Sequence, residues 1–384
     1  MSELKFKNGK FKIMVVGDVH EKYPPDYKSE DTLRLINAML DRYTPDLAVV
    51  MGDLVSDYGC FGGENRNLTP EEMREAYSFI FEPYITRGIP FAFVFGNHDD
   101  EKIYSKQELF GMIKSLGGCV IEDTPNLSGC GNCNVPVKST DGKTTPLNLW
   151  FFDSHNRDAL GGYDWVHPDQ IRWYENKCDE LAKENGGEVI PAIHFQHIPV
   201  CEEYELLKKV SRLNPYKVQG CGVRDEYYYA VADKNNTVGY LGEGPCTPDI
   251  NCGQFASWKA KGDVFAAFFG HDHMNDFVGT YDGIMLGQCK CSGFHMFGDG
   301  LRQGVRMITV REDDVRNIKT EMCYYRDIFG TKCNSIKGLD LLTDRVRQNS
   351  IVASNIIGGA AIAVGIGLLT AAAVKSIKKK SSKK

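Results

Sequence analysis

Val264-Phe265-Ala266-Ala267-Phe268-Phe269-Gly270-His271-Asp272-His273 is an apolar run that ends in a glycine and a cluster of imidazole and carboxylate groups. Six apolar residues halted by glycine read as a strand buried on both faces. The pattern recurs upstream. Residues 11–16 run into Gly17-Asp18-Val19-His20, 47–51 into Gly52-Asp53, and 91–95 into Gly96-Asn97-His98-Asp99. A fifth polar segment, His197-Ile198-Pro199, follows a strand expected over 188–195. In an α/β sheet, ligands gather beyond the carboxyl ends of the strands. Groups far apart in sequence can therefore meet in one pocket. A pocket of Asp, Asn and His offers the donors of a hydrolytic metal centre.

The spacing within each segment supports that reading. Residues i and i+2 of an extended stretch point the same way, so Asp18 pairs with His20 and His271 with His273. A carboxylate at Asp53 can bridge two cations with its two oxygens. Asn97 adds an oxygen donor without charge, and His197 completes two coordination shells. His155, His167 and His295 are read as core or surface histidines, and Arg224 as a solvated arginine.

The 384 residues carry a net charge of −6, but the last ten hold six lysines, and taking away those six charges leaves a body of −12. Sequence-independent nucleic-acid binding needs a cationic footprint, so no nucleic-acid partner is expected. A small phosphate ester drawn in by metal ions fits. The thirteen cysteines follow no secretory signal in residues 1–10, and a cytosolic body keeps thiols reduced. Cys130-Gly131-Asn132-Cys133 has no second such pair to make a zinc site. Cys246/Cys252 and Cys289/Cys291 stay undecided, with pairing expected only in an oxidising compartment.

Helices are expected over 31–43, 69–87, 105–116 and 168–185, the second opened by Thr69-Pro70-Glu71-Glu72. Further strands are expected over 147–152, 283–287 and 304–310. Residues 117–146 read as an excursion and 213–253 as a long active-site loop, and substrate specificity is expected in both. The body is expected over 1–320, with charged residues from 311 leading into a linker over 321–350. Residues 351–374 contain no charged side chain. As a helix they are about 36 Å long, enough to cross a hydrocarbon core of about 30 Å. They read as a C-terminal transmembrane helix, a tail anchor followed by the basic tail 375–384. That layout leaves the body in the cytosol, at a membrane the sequence does not name.

The order Asp-x-His, Gly-Asp, Gly-Asn-His-Asp, His and Gly-His-x-His resembles the calcineurin-like metallophosphoesterases over about residues 11–310. Gln170-Ile171-Arg172-Trp173-Tyr174, Phe195-Gln196-His197-Ile198-Pro199 and Gly270 to Phe277 are similar to segments of the purple-acid-phosphatase-like branch. The resemblance implies a four-layer α/β/β/α sandwich. It implies one metal held by Asp18, His20, Asp53 and His273, and a second by Asp53, Asn97, His197 and His271. His197 is preferred to His194 because the family's ligand precedes x-Pro. An odd spacing also puts the two on opposite faces of a strand, which leaves His194 a core or supporting position.

Purple acid phosphatases place a tyrosine ligand where this chain has Ser56, with Tyr58 two residues off register. The tyrosinate colour is therefore expected to be absent, and the metals stay open among Mn, Fe and Zn. The implied activity is phosphomonoester hydrolysis by a metal-bound hydroxide. His98 would be the acid for the leaving group, and Asp99 or Asp272 would orient a histidine, Asp99 being equally readable as a strand-end cap. Asn97 and His98 would touch substrate. The alternatives are a phosphodiesterase acting on cyclic nucleotides or lipid head groups, and a metal-binding membrane scaffold without turnover.

Overall fold

The computed structural model describes residues 3–56, 67–101 and 103–337. Two mixed sheets carry the chain. The first orders five strands as Asp314–Tyr324, Gly304–Arg311, Lys10–Val16, Leu47–Val50 and Phe91–Phe93, and the last three run parallel. The second orders seven, as Leu4–Lys5, Cys133–Lys138, Leu147–Phe152, Ala192–Gln196, Val264–Phe269, Ile284–Gln288 and Val278–Tyr281. Its middle four, from Leu147–Phe152 to Ile284–Gln288, are parallel.

Period-2 alternation decides which way each strand packs. Leu149, Phe151, Ile193, Phe195 and Phe268 share one buried cluster with Ile13, Val49 and Phe93 of the first sheet. Trp150, Phe152, Ala267 and Phe269 turn to a second cluster with Tyr174 and Trp258 of the helices Pro168–Glu184 and Gln254–Lys261. The helices Tyr27–Tyr43 and Pro70–Ile85 add Leu35, Met39, Met73 and Ile80 to the first cluster. Thr69 caps Pro70–Ile85 in a reciprocal box with Glu72, as its sequence predicts. The helix expected from residue 31 starts earlier, because Asp26 and Ser29 cap one another.

Three expectations are corrected. The stretch 213–253, read as a long loop, contributes Val218–Gln219 and Tyr228–Val231 to a small sheet whose third strand, Leu207–Val210, precedes it. Its Tyr-Tyr-Ala-Val strand is a β-prone run that the flanking Gly, Asn and Pro obscured. The chain also stays on the body beyond residue 320. Asp314–Tyr324 pairs along Gly304–Arg311, and the Asp31 carboxylate accepts from the amides of Asn334 (2.7 Å) and Ser335 (2.8 Å). The charges that suggested a linker are the wet face of an edge strand whose Ile318 and Cys323 point inward. Third, the strand expected from 188 starts at Ala192, past the polar end of its helix. The expected span 351–374 and the tail 375–384 lie outside the described residues. Among the described residues no helix is long and apolar enough to cross a membrane. Every described cysteine is a free thiol. Burial pushes the Cys130 and Cys133 thiols well up, which suits core residues rather than metal ligands.

Candidate metal centre

The five polar segments all leave the carboxyl ends of parallel strands, and the backbone must turn sharply there. Asp18, His20, Asp53 and His271 adopt positive φ values of 35°, 46°, 48° and 72°. Each such residue costs about 1–3 kcal/mol unless its surroundings hold it, and such residues concentrate at functional sites. The glycines before them let two loops touch. A Cβ on Gly52 would lie 2.5 Å from the Gly96 nitrogen, and one on Gly96 would lie 2.2 Å from Asp53 Oδ1.

Two sets of donors result. Asp18, His20, Asp53 and His273 bring their donor atoms within 4.8 Å of one another, and so do Asp53, His197 and His271. Asp53 belongs to both. Its Oδ2 lies 3.5 Å from His20 Nε2 and 3.3 Å from His197 Nε2. His20 and His273 face each other through Nε2 at 3.1 Å. Asn97 Oδ1 stands 3.1 Å from His197 Nε2, beside the second set.

The outer nitrogens are fixed by partners, which aims the inner ones. His197 Nδ1 donates to the Met51 carbonyl at 2.5 Å, and His273 Nδ1 to that of Phe297 at 2.8 Å. Ser56 Oγ lies 2.9 Å from His20 Nδ1, so the residue that stands where a tyrosine ligand was sought supports a histidine instead. Tyr58 lies outside the described residues. His271 Nε2 is buried without a hydrogen-bond partner among the described residues. An unpaired buried acceptor is costly, and a cation is the partner this one suits. The donor set therefore fits two metal ions.

Burial shapes the charges. It drives the Asp18 carboxyl up to about 8, and it drives His20 and His271 well below the usual histidine range and His273 to about 4. Burial also acts against the charged form of Asp53, but the facing His197 and His20 more than offset it and hold that carboxyl low. For His197 burial works downward, while Asp53 and Asp18 carry it up to about 10.

His98 is placed beside the donors. Its amide donates to Asp53 Oδ1 at 2.9 Å, and its ring centroid is 5.5 Å from that of His20. Its Nδ1 pairs with Glu101 Oε2 at 2.8 Å. Burial lowers the His98 pKa, but Glu101 and Asp53 outweigh it and raise it. Sequence reasoning missed Glu101, although the i,i+3 spacing in the short helix His98–Glu101 signals it. Asp99 is buried and accepts from the amides of Leu54 (3.0 Å) and Gly96 (2.9 Å), which braces the two metal-facing loops. Asp272 accepts from Cys246 N and Asn275 Nδ2. Also missed was Tyr163, whose ring centroid lies 4.3 Å from that of His271 in an edge-on contact, with Arg157 over the Tyr163 ring at 4.1 Å. No sequence pattern marks that loop.

The remaining histidines take other places. His194 is wedged between Phe152 and Trp258, bonds Gln196, and is held by burial near 3. His295 bonds Ser29. His155, Asp164 and His167 bring donor atoms within 4.8 Å of one another, but the two rings stack 4.0 Å apart at 19°. Stacked rings send their lone pairs in parallel rather than onto one ion. Their nitrogens meet Gln170 and Asp164 at the start of Pro168–Glu184.

Residues 11–275 match the calcineurin-like phosphoesterase family, and the chain belongs to it. It is 26% identical to an Arabidopsis thaliana protein named probable inactive purple acid phosphatase 29, over 79% of this chain and 77% of that protein. It is 28% identical to phosphatase DCR2 of Saccharomyces cerevisiae, over 70% of this chain and 45% of that one. A solved dimetal phosphatase from Danio rerio aligns over 82% of this chain and 99% of its own, with 12% identity and a TM-score of 0.48.

Proposed function

We propose that this chain is a metal-dependent phosphatase that hydrolyses phosphomonoesters. The observation that carries the reading is the convergence of two carboxylates and four imidazoles on one buried point, with His98 beside them. Asp18, His20, Asp53 and His273 would hold one metal, and Asp53, Asn97, His197 and His271 the other. Such cations, drawn from Mn, Fe or Zn, supply Lewis acidity when bound, activating water and neutralising phosphoryl charge. Asn97 and His98 contact the phosphate. His98 donates a proton to the departing oxygen, with Glu101 holding its ring. Asp99 positions these groups by tying Gly96 to Leu54.

The name of the Arabidopsis relative, a probable inactive phosphatase, favours a second reading, a scaffold that binds metal without turnover. The His98–Glu101 pair supports the enzyme, since a scaffold has no use for a leaving-group acid. Turnover of p-nitrophenyl phosphate by the purified, metal-loaded chain decides. Hydrolysis with any of Mn, Fe or Zn supports the phosphatase, and metal uptake without hydrolysis supports the scaffold. Residues 351–374 complete the proposal as a transmembrane anchor following the body and a connecting segment, with the body on the cytosolic side.

A further inference from the structure

Two cysteines that the metal centre does not use are held side by side. The Cys221 and Cys246 thiols hydrogen-bond to one another. Three contacts lay their segments together. The Tyr204 hydroxyl accepts from the Cys221 amide at 3.0 Å and donates to the Pro245 carbonyl at 2.8 Å, so one side chain spans both segments. To one side of that bridge, a Cβ on Gly244 would lie 2.0 Å from the Gln219 carbonyl oxygen, a close approach that glycine allows. To the other, Asp249 Oδ1 accepts from the Val223 amide at 2.9 Å.

The two thiols differ in character. The hydrogen bond with Cys246 holds the Cys221 thiol below its usual value, against the effect of burial. The same bond, and then burial, pushes Cys246 well up. Burial pushes every other described cysteine up as well. Among the described cysteines Cys221 is therefore the one best suited to react as a thiolate. Both members of the pair are only half-buried, so a small reagent can reach them. The pair also borders the site. The Cys246 amide donates to Asp272 Oδ1 at 3.1 Å, and Asp272 lies between the metal donors His271 and His273. Just past those donors, Asn275 Oδ1 accepts from the Gly242 and Glu243 amides at 2.8 and 3.1 Å.

We propose that Cys221 and Cys246 are a redox pair, which a small-molecule disulfide, glutathione disulfide, converts to a protein disulfide that fastens the small sheet to the segment bracing Asp272. The Cys221 thiolate attacks one sulfur of the reagent, breaks its S–S bond, and forms a mixed disulfide while one small thiolate leaves. Cys246 gives its proton to that thiolate and attacks the Cys221 sulfur. The internal S–S bond forms, and the second small thiolate leaves and takes up from solvent the proton that Cys221 had released there. Two protein thiols are oxidised, and one small disulfide is reduced to two thiols. The pair stands whether or not the chain turns over phosphate esters.

The test treats the full, metal-loaded chain with glutathione disulfide or with reduced glutathione, alkylates the remaining thiols and maps the tryptic peptides. Trypsin leaves Cys221 in 218–224 and Cys246 in 235–259, the latter together with Cys252. The oxidised chain should yield these two peptides joined, in the wild type and in Cys252→Ser alike, and the reduced chain should yield them apart. Cys221 recovered after oxidation as an alkylated thiol, as a glutathione adduct or joined to any other cysteine overturns the pair. At equal metal loading the oxidised wild type should melt about 5 °C above the reduced chain, and Cys246→Ser should show no such difference. A midpoint that stays put when the bond forms, or that moves equally in Cys246→Ser, overturns the fastening.

Discussion

His98 and Asp53 show how one residue can carry two tasks. Asp53 reaches both donor sets, and its Oδ1 also accepts the His98 amide. Removing Asp53 therefore disturbs metals and acid together, whereas removing His98 separates them. His98→Ala should lower kcat by about 10²–10⁴-fold toward esters with poor leaving groups, the usual worth of a general acid. Its metal content, read by elemental analysis, should be unchanged. Equal loss of metal would make His98 a ligand instead. Glu101→Gln should give a smaller loss of the same kind, because it frees the ring without deleting it. The donor residues were legible in the sequence because each ends an apolar run. Glu101 was missed although its spacing from His98 signals it, and Tyr163 and Arg157 were not legible, since they sit on a loop whose course only the fold determines.

The elements are joined at the site's edge by a buried pair. Lys106, at the start of the helix Lys106–Lys114, reaches Asp153, just past Leu147–Phe152, at 2.9 and 3.0 Å. Asp153 also accepts the amides of Cys130 and His155, so it ties one helix and two loops to a strand end. Burial works against its charge, but Lys106 prevails and holds its carboxyl below the usual range. A carboxyl depressed in the folded state adds stability above its unfolded value, near 4, and loses it as pH falls through the folded value. Asp153→Asn should cost about 1.5–3 kcal/mol at pH 7, the worth of hydrogen bonds to a charged group, because Lys106 and the amides of Cys130 and His155 lose their ionised acceptor. Urea unfolding measures this. The gap to wild type should shrink below about pH 4, and a gap that is constant with pH would reject the pairing. Most sheet strands were legible because long apolar runs admit little else. The edge strand Asp314–Tyr324 was not, because its exposed face carries the charges expected of a linker.

At the scale of the whole molecule, the two sheets place their strand ends together and build one centre from residues spread over 18–273. A centre assembled from so many segments couples metal binding to folding. Chelation should therefore lower the thermal midpoint of the full chain, and readdition of Mn or Zn should restore it. An unchanged midpoint would mean that the donors stay empty. The proposed anchor is separable from this. Removing 351–384 should move the chain from the membrane to the soluble fraction with p-nitrophenyl phosphate activity intact, and an unchanged membrane fraction would reject the anchor. The α/β class was readable in the sequence because apolar runs alternate with helical stretches, whereas the sandwich and the ligand sets were implied only by the family resemblance. The small three-stranded sheet was not readable, because its short strands lie among the Gly, Asn and Pro that read as loop.

Elemental analysis of the purified chain beside its Asp53→Ala variant tests the paired metal centre most directly. The wild type should carry two transition-metal ions per chain, and the variant should lose most of both, since Asp53 serves each set. A wild type free of such metals, or a variant that keeps its full complement, would contradict the account.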